Sequence, residues 1–286
     1  MRILCLGEVL VDLVRDAAGA FVPHFGGDVA NAAVTAARNG ADVAIAGGAG
    51  DDAWGAWLRE RLAEEGVGLD WFELLDGVST KLAFVTVGGE GEPAFQFYGD
   101  GVASEHVPAA LAACDALFFT SNSLLSEQER MLAITARRQA LDEGKPVVVD
   151  ANLRPARWAS PEAAVATVRG CVPDAALLKC NRSEAALLTG KPDPGAAAEA
   201  LVALGARAVV VTLGADGALL RGAGGPCDVA GVAAAPVDTT GAGDAVSGVL
   251  LAGLGAAAFN PAVLPDALSA AVHAAARVTE HFGAVA

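Results

Sequence analysis

The run Asp238-Thr239-Thr240-Gly241-Ala242-Gly243-Asp244-Ala245-Val246 sets two glycines around one small residue and opens an apolar stretch ending near Leu254. This spacing lets the backbone turn tightly and aims successive N–H groups at one point at a helix start, where an anion binds. A bound phosphate would repel Asp244 unless the carboxylate had a task there. Taking the proton from a hydroxyl that attacks the phosphate is such a task. The structural alternative is that Asp238 and Asp244 cap the helix while the glycines serve the turn. No Gly-Lys-Ser/Thr follows, so the run is not a Walker A loop. Val246 stands where a dinucleotide fingerprint needs its third glycine, which disfavours an oxidoreductase.

A disulfide framework, a structural zinc site and a histidine-built metal centre have little support. Five cysteines are scattered without a C-x-x-C pair, and the four histidines avoid H-x-x-x-H spacing. A net charge of −15, from 34 acids against 19 bases, argues against nucleic-acid and membrane partners. An anionic ligand must then be held by backbone N–H groups, a few placed bases or a bridging cation. No apolar run approaches the roughly 20 residues of a membrane span. The opening Met1–Asp12 carries acids and no cleavage site, so a signal peptide is not expected and the cytoplasm is.

The elements that must position these groups alternate. A strand is expected over Ile3–Leu10, a helix over Val29–Arg38 ending at Gly40, a strand over Ala41–Ala46 and a helix over Ala53–Glu65. Leu82–Val87 and Ala94–Tyr98, joined by a glycine-rich turn, predict a hairpin. Strands then follow at 116–120, 147–150, 176–179 and 208–213, with helices at 127–143, 161–168, 183–188, 196–204, 245–254 and 265–279. The pattern predicts a single domain over 1–286: a three-layer α/β/α sandwich around a mostly parallel sheet. The hairpin is the candidate lid, with lid elements around 9–25 and 78–102.

The Asp238–Leu250 segment is similar to the second signature of the PfkB sugar kinases, the ribokinase-like family, and Gly26-Gly27-Asp28-Val29-Ala30-Asn31-Ala32-Ala33 resembles the first. Both occur in the expected order, and length and alternation fit over the whole chain. The resemblance implies Asp244 as the base for a sugar hydroxyl, and the backbone of Gly241, Ala242 and Gly243 as the anion hole. Asp12, Gly26, Gly27 and Asn31 match sugar-contacting positions, though Asn31 could equally be an N-cap and Asp12 a turn residue. Asn181-Arg182-Ser183-Glu184 resembles the N-x-x-E element, with Asn181 on the nucleotide side and Glu184 reaching Mg2+ through water; a helix-capping pattern is the alternative. Thr212, Gly214 and Gly217 resemble the loop that meets ATP. His273, Ala276 and the Gly283-Ala284 pair lie where relatives wrap adenine, although a histidine on an alanine-rich helix also suits packing. Loops near Asp238 and Thr240 offer carbonyls to a monovalent cation such as K+, and relatives often pair as homodimers through their lids.

For the substrate, Asp150-Ala151-Asn152-Leu153-Arg154-Pro155-Ala156-Arg157-Trp158 is similar to a segment of fructokinases and 2-keto-3-deoxygluconate kinases. Arg154 suits a phosphate, a sugar or a sugar carboxylate, with a structural salt bridge as its alternative. Lys81–Val85, Phe97 and Tyr98 are fructokinase-like, with Phe84 and Phe97 expected to pack the lid. Where those relatives carry an arginine, this chain has Gly99-Asp100-Gly101, which disfavours a carboxylate-bearing substrate. The expectation is therefore ATP- and Mg2+-dependent phosphorylation of fructose or a similar neutral sugar. The alternatives are a kinase for 2-keto-3-deoxygluconate, ribose or a nucleoside, or a non-catalytic sugar- or nucleotide-binding relative. Asp244, both glycines, Asn181 and Glu184 occurring together speak against that last one.

Overall fold

The computed structural model describes residues 1–16, 18–87, 93–99, 102 and 106–284. In chain order its strands are β1 (Arg2–Leu6), β2 (Leu10–Arg15), β3 (Phe21–Gly26), β4 (Asp42–Gly50), β5 (Gly68–Leu75), β6 (Leu82–Val87), β7 (Pro93–Tyr98), β8 (Ala116–Thr120), β9 (Val147–Asp150), β10 (Leu177–Asn181), β11 (Ala208–Thr212), β12 (Gly217–Gly222) and β13 (Cys227–Ala230). The helices are α1 (Asp28–Arg38), α2 (Ala53–Glu64), α3 (Val107–Ala112), α4 (Glu127–Asp142), α5 (Pro161–Gly170), α6 (Arg182–Thr189), α7 (Pro194–Ala203), α8 (Ala242–Ala256) and α9 (Leu264–Val278).

The main sheet runs β13-β12-β11-β10-β9-β8-β1-β4-β5. It is parallel from β11 to β5, while β12 and β13 add antiparallel at one edge. Its strands are apolar at successive positions because both faces are covered. Side-chain alternation divides each strand between two cores: Ile3, Cys5, Val148 and Val210 join one cluster, and Leu4, Leu6, Val147, Val149, Val209 and Val211 the other. That division is the three-layer sandwich expected from the alternating pattern.

The strand expected over Ile3–Leu10 is two strands in different sheets. A Cβ on Gly7 would lie 2.5 Å from Val29 Cγ2, so only a glycine lets the chain pass close to α1 as it leaves the main sheet. The second sheet, ordered β3-β2-β6-β7, contains the predicted hairpin as β6–β7, paired Leu82 to Tyr98. The 88–92 turn lies outside the described residues. The hairpin expected as a lid is thus half of a four-stranded sheet. Elements β5, α3 and the β12–β13 edge are not among those expected from the sequence pattern. Helix α8 begins at Ala242, three residues earlier than composition suggests, with Gly241 in the left-handed region at φ 79°.

Candidate active site

The groups singled out from the sequence converge beyond the carboxyl ends of the parallel strands, where the second sheet meets α1 and α8, as open α/β sheets dispose their sites. Helix α1 presents Asn31, whose Nδ2 donates to Asp244 Oδ2 at 2.9 Å. The first α8 ladder bond runs from Ala245 N–H to the Gly241 carbonyl at 2.8 Å, so the amides before it stand outside the ladder. The Ala242 amide is taken by the Thr239 carbonyl at 3.3 Å. Of the three amides expected to line an anion hole, that of Ala242 therefore already has a carbonyl partner.

Burial raises four carboxyls among the described residues, those of Glu8, Asp12, Glu184 and Asp244. Burial pushes the Asp244 carboxyl up to about 7, with Asp28 and Asp150 adding repulsion against the Asn31 hydrogen bond and the Lys179 ammonium. Asp12, 8% exposed on β2, is also raised to about 7, by burial first and then by Asp244, Glu8 and Asp238, with Arg154 opposing. Two carboxyls near neutrality in one cleft are poised to exchange protons.

The glycines allow close approach. A Cβ on Gly26 would overlap the Asp12 carboxylate, and one on Gly27, at φ 103°, would lie 2.6 Å from the Glu8 carbonyl. A Cβ on Gly243 would lie 2.8 Å from Lys179 Nζ. Lys179 is buried in the middle of β10 and donates to Asp150 Oδ2 at 2.8 Å, which also accepts from Ser247 Oγ at 2.8 Å. Burial works against its ammonium, but Asp150, Glu184 and Asp244 outweigh it and hold the pKa above its ordinary value.

Several expected ligands have well-defined structural work. Asn181 Oδ1 accepts from Glu184 N–H at 2.9 Å, and Glu184 Oε2 accepts from Asn181 N–H at 2.8 Å, a capping box. Glu184 Oε1 accepts from Leu153 N–H at 2.8 Å, so each oxygen of this buried carboxylate already holds a backbone amide. Among the described residues no group of three or more His, Cys, Asp or Glu side chains is placed to hold a metal. A divalent cation here would keep mostly water and phosphate oxygens, and Glu184 could meet it only across water. Asp238 clamps its loop, accepting from Thr240 N–H at 2.9 Å and Gly283 N–H at 3.1 Å. Gly217 is required where β13 passes, whereas Gly214, at φ 65°, faces open space. Thr212 ends β11 with its hydroxyl 3.5 Å from the Cys180 carbonyl.

The C-terminal positions divide. His273 is exposed on α9 with Nδ1 2.9 Å from the Ser269 carbonyl, one turn back. The Ala276 carbonyl accepts from Thr279 Oγ1 at 2.7 Å. Ala284 packs on Gly241, and a Cβ on Gly283 would lie 2.7 Å from His24 Nδ1 of the second sheet, so this pair borders the catalytic turn.

At the opposite end of the cleft, Phe97 of β7 lies 4.4 Å from the Arg157 guanidinium and 5.5 Å from Lys81 Nζ. Lys81 pairs with buried Glu8, and Arg157 lies 3.8 Å from the same carboxylate. Phe84 packs edge-on to Phe21 and Tyr98 as lid core. Arg154 donates to Asn152 Oδ1 at 2.6 Å and not to a carboxylate, so its salt-bridge alternative is not realised among the described residues. Asp100 and Gly101 lie outside the described residues; Gly99 turns at φ 85° against the Thr80 carbonyl. The chain reading missed Glu8, Asp28, Asn122, Arg157 and Lys179 as site groups. Its available signal was a charge placed within or just after an apolar strand, as at Lys179 and Glu8. A cavity of about 390 Å3 lined by Met1, Pro146, Ala176 and Arg207 lies at the amino ends of the strands and contains none of these groups.

The model of the pfkB family carbohydrate kinases matches residues 1–286. A fructokinase of Klebsiella pneumoniae is 33% identical over 287 residues, covering 94% of this chain and 88% of its own. An aminoimidazole riboside kinase of Salmonella typhimurium is 29% identical over 273 residues, covering 94% of this chain and 86% of its own. Among solved structures, a double mutant of the Vibrio cholerae O395 fructokinase, in a form with fructose, ADP and potassium ion bound, has a TM-score of 0.89 at 30% identity over 99% of this chain and 94% of the other. The Salmonella enterica aminoimidazole riboside kinase, complexed with aminoimidazole riboside and an ATP analog, has a TM-score of 0.88 at 27% identity over 100% of this chain and 95% of the other. Similarity of this extent leaves no part of the chain to another fold, and the protein belongs to the pfkB family of carbohydrate kinases.

Proposed function

We propose that this sugar kinase transfers the γ-phosphoryl group of ATP, with Mg2+, to a hydroxyl of fructose or a similar uncharged sugar, Asp244 acting as the general base. The observation that carries the reading is Asn31. Its side chain donates to Asp244, and its own Oδ1 is buried with no hydrogen-bond partner among the described residues. A buried orphan acceptor costs about 1–3 kcal/mol, and a sugar hydroxyl beside the base satisfies it.

In the reaction the sugar oxygen forms a bond to the γ-phosphorus as the bridging P–O bond to ADP breaks. The hydroxyl proton passes to Asp244, whose pKa of about 7 suits a base that must be ionised before and protonated after transfer. Charge on the transferred group falls on the Gly241, Gly243 and Asp244 amides at the α8 N-terminus. A bound Mg2+ would add further neutralisation of that charge, and Glu184 and Asn181 are the residues that would hold it, through water. Asp12, set against Gly26, holds a second sugar hydroxyl, and Thr212 and Gly214 border the nucleotide.

The choice of an uncharged sugar rests on the balance of charge in the cleft. Lys81 is on Glu8, Arg157 on Glu8 and the Asn122 amide, and Arg154 on the Asn152 amide. Asp12, Asp28 and Asp244 add three more carboxylates, so a substrate carboxylate would enter against net negative charge. Coupled ADP release over fructose, ribose, glucose, 2-keto-3-deoxygluconate, adenosine and aminoimidazole riboside tests this. Fructose should give the highest kcat/KM; a preference for the keto-deoxy acid or for either nucleoside-like compound overturns the assignment.

A further inference from the structure

The first turn of α1 carries a second carboxylate that the proposed mechanism does not use. Asp28 Oδ2 accepts three hydrogen bonds: from Thr120 Oγ1 at 2.5 Å, Asn122 Nδ2 at 2.8 Å and Asn152 Nδ2 at 2.6 Å. Its Oδ1 accepts from Val29 N–H at 2.8 Å. The side chain is buried, and its donors come from the end of β8, the turn after it and the loop after β9.

With Nδ2 on Asp28, each of the two amides turns its oxygen the other way. Asn122 Oδ1 accepts from Arg157 at 2.9 Å, and Asn152 Oδ1 accepts from Arg154 at 2.6 Å. A guanidinium can only donate, and an amide is symmetrical enough in shape to be turned over unless a neighbour selects one end. Asp28, which can only accept when ionised, makes that selection for both. Asn152 pays for its place with φ 33°, a conformation an L-residue adopts when its surroundings fix it.

We propose that Asp28 is the positioning residue of the sugar subsite, aiming Arg154 and Arg157 at the substrate through the Asn152 and Asn122 amides. The inference rests on the sugar-kinase reading of the cleft but not on which sugar is used. Arg154 faces Asp12, whose carboxyl its charge lowers against the surrounding acids. Arg157 lies under Phe97 of the lid. One carboxylate thereby orients, through the two amides, both the guanidinium that acts on Asp12 and the one under Phe97. The same helical turn places Asn31, three residues on, against Asp244, so α1 registers both the base and the sugar-binding arginines.

The test is steady-state kinetics with the panel sugar that the parent enzyme uses best. Asp28→Asn should raise the sugar KM about tenfold, with kcat within about threefold and the ATP KM within about twofold of the parent, because uniform sugar binding is lost. In an Arg154→Gln/Arg157→Gln background the same Asp28→Asn change should add less than about twofold, since groups acting in series are non-additive. An unchanged sugar KM, or the full rise persisting without the arginines, overturns the proposal. Asn122→Ala leaves Asp28 two of its side-chain donors and should raise the sugar KM about threefold. If Asp28→Asn does not fold, a parental sugar KM in Asn122→Ala overturns the proposal by itself. A parent that ignores fructose refutes the fructose assignment alone, and the cycle is then run on the sugar it does phosphorylate.

Discussion

Asn31 Nδ2 donates to Asp244 Oδ2 at 2.9 Å across 213 positions of sequence. The bond joins the two stretches that resemble the family signatures, and it leaves Asn31 Oδ1 buried without a hydrogen-bond partner among the described residues.

Removing the base is the most direct consequence. Asp244→Ala should lower kcat by about 10²–10⁴-fold, the usual worth of a positioned general base, while ATP affinity stays near the parental value. Turnover measured beside nucleotide binding by calorimetry checks this, and near-normal kcat would refute the role of Asp244.

The pH dependence has a definite sign. Burial, then Asp28 and Asp150, raise Asp244 to about 7, while Asn31 and Lys179 oppose the rise; Asp12 is also raised to about 7 and repelled by Asp244. The base works ionised, so kcat/KM should climb with pH through an apparent pKa of about 7 that belongs to the coupled pair. Asp28→Asn removes a negative neighbour and should move that limb to lower pH. A limb unmoved, or displaced upward, contradicts the arrangement.

Stability runs the opposite way. A carboxyl at about 7 in the fold and about 4 in the unfolded chain keeps its proton in the native state over the interval where the unfolded chain has lost it. Its contribution is therefore full below about pH 4 and is lost as pH rises through about 7. Melting curves across that interval should be flatter for Asp244→Asn than for the parent; parallel curves would contradict the shift.

Lys179 neutralises three carboxylates. Lys179→Met should cost about 3–5 kcal/mol, the penalty for leaving one side of a buried ion pair unpaired, mostly through Asp150, which would retain only Ser247 and the Asn152 amide as donors. Urea unfolding measures this, and a loss below about 1 kcal/mol would show that water or rearrangement replaces the ammonium.

Phe97 joins lid and body through Arg157. Phe97→Leu keeps an apolar side chain but loses the ring face, so the sugar KM should rise by a few-fold, in line with about 0.5–1 kcal/mol for a partly exposed cation–π pair. An unchanged KM would show that the lid is held elsewhere.

Much of this was legible along the chain. Two glycine turns, each followed by a small-residue helix, and the alternation of apolar strands with amphipathic helices depend only on neighbours in sequence. They sufficed for the sandwich, for Asp244 and for Asn31. The strand over Ile3–Leu10 was misjudged because an apolar run does not reveal that Gly7 must pass beside Val29 and redirect the chain. The second sheet was half seen because β2 reaches β6 across about 70 residues, a pairing with no local signature.

Residue types and spacing by themselves determined the family and singled out the Gly241–Gly243 turn and Asp244 as candidates, because each is written within a few consecutive positions. Only the tertiary structure decided what Asp28, Lys179, Glu8 and Arg157 do, and that Glu184 spends both oxygens on backbone amides. Charges acquire roles from the charges they face, and those neighbours come from the ends of separate strands that the chain order keeps far apart.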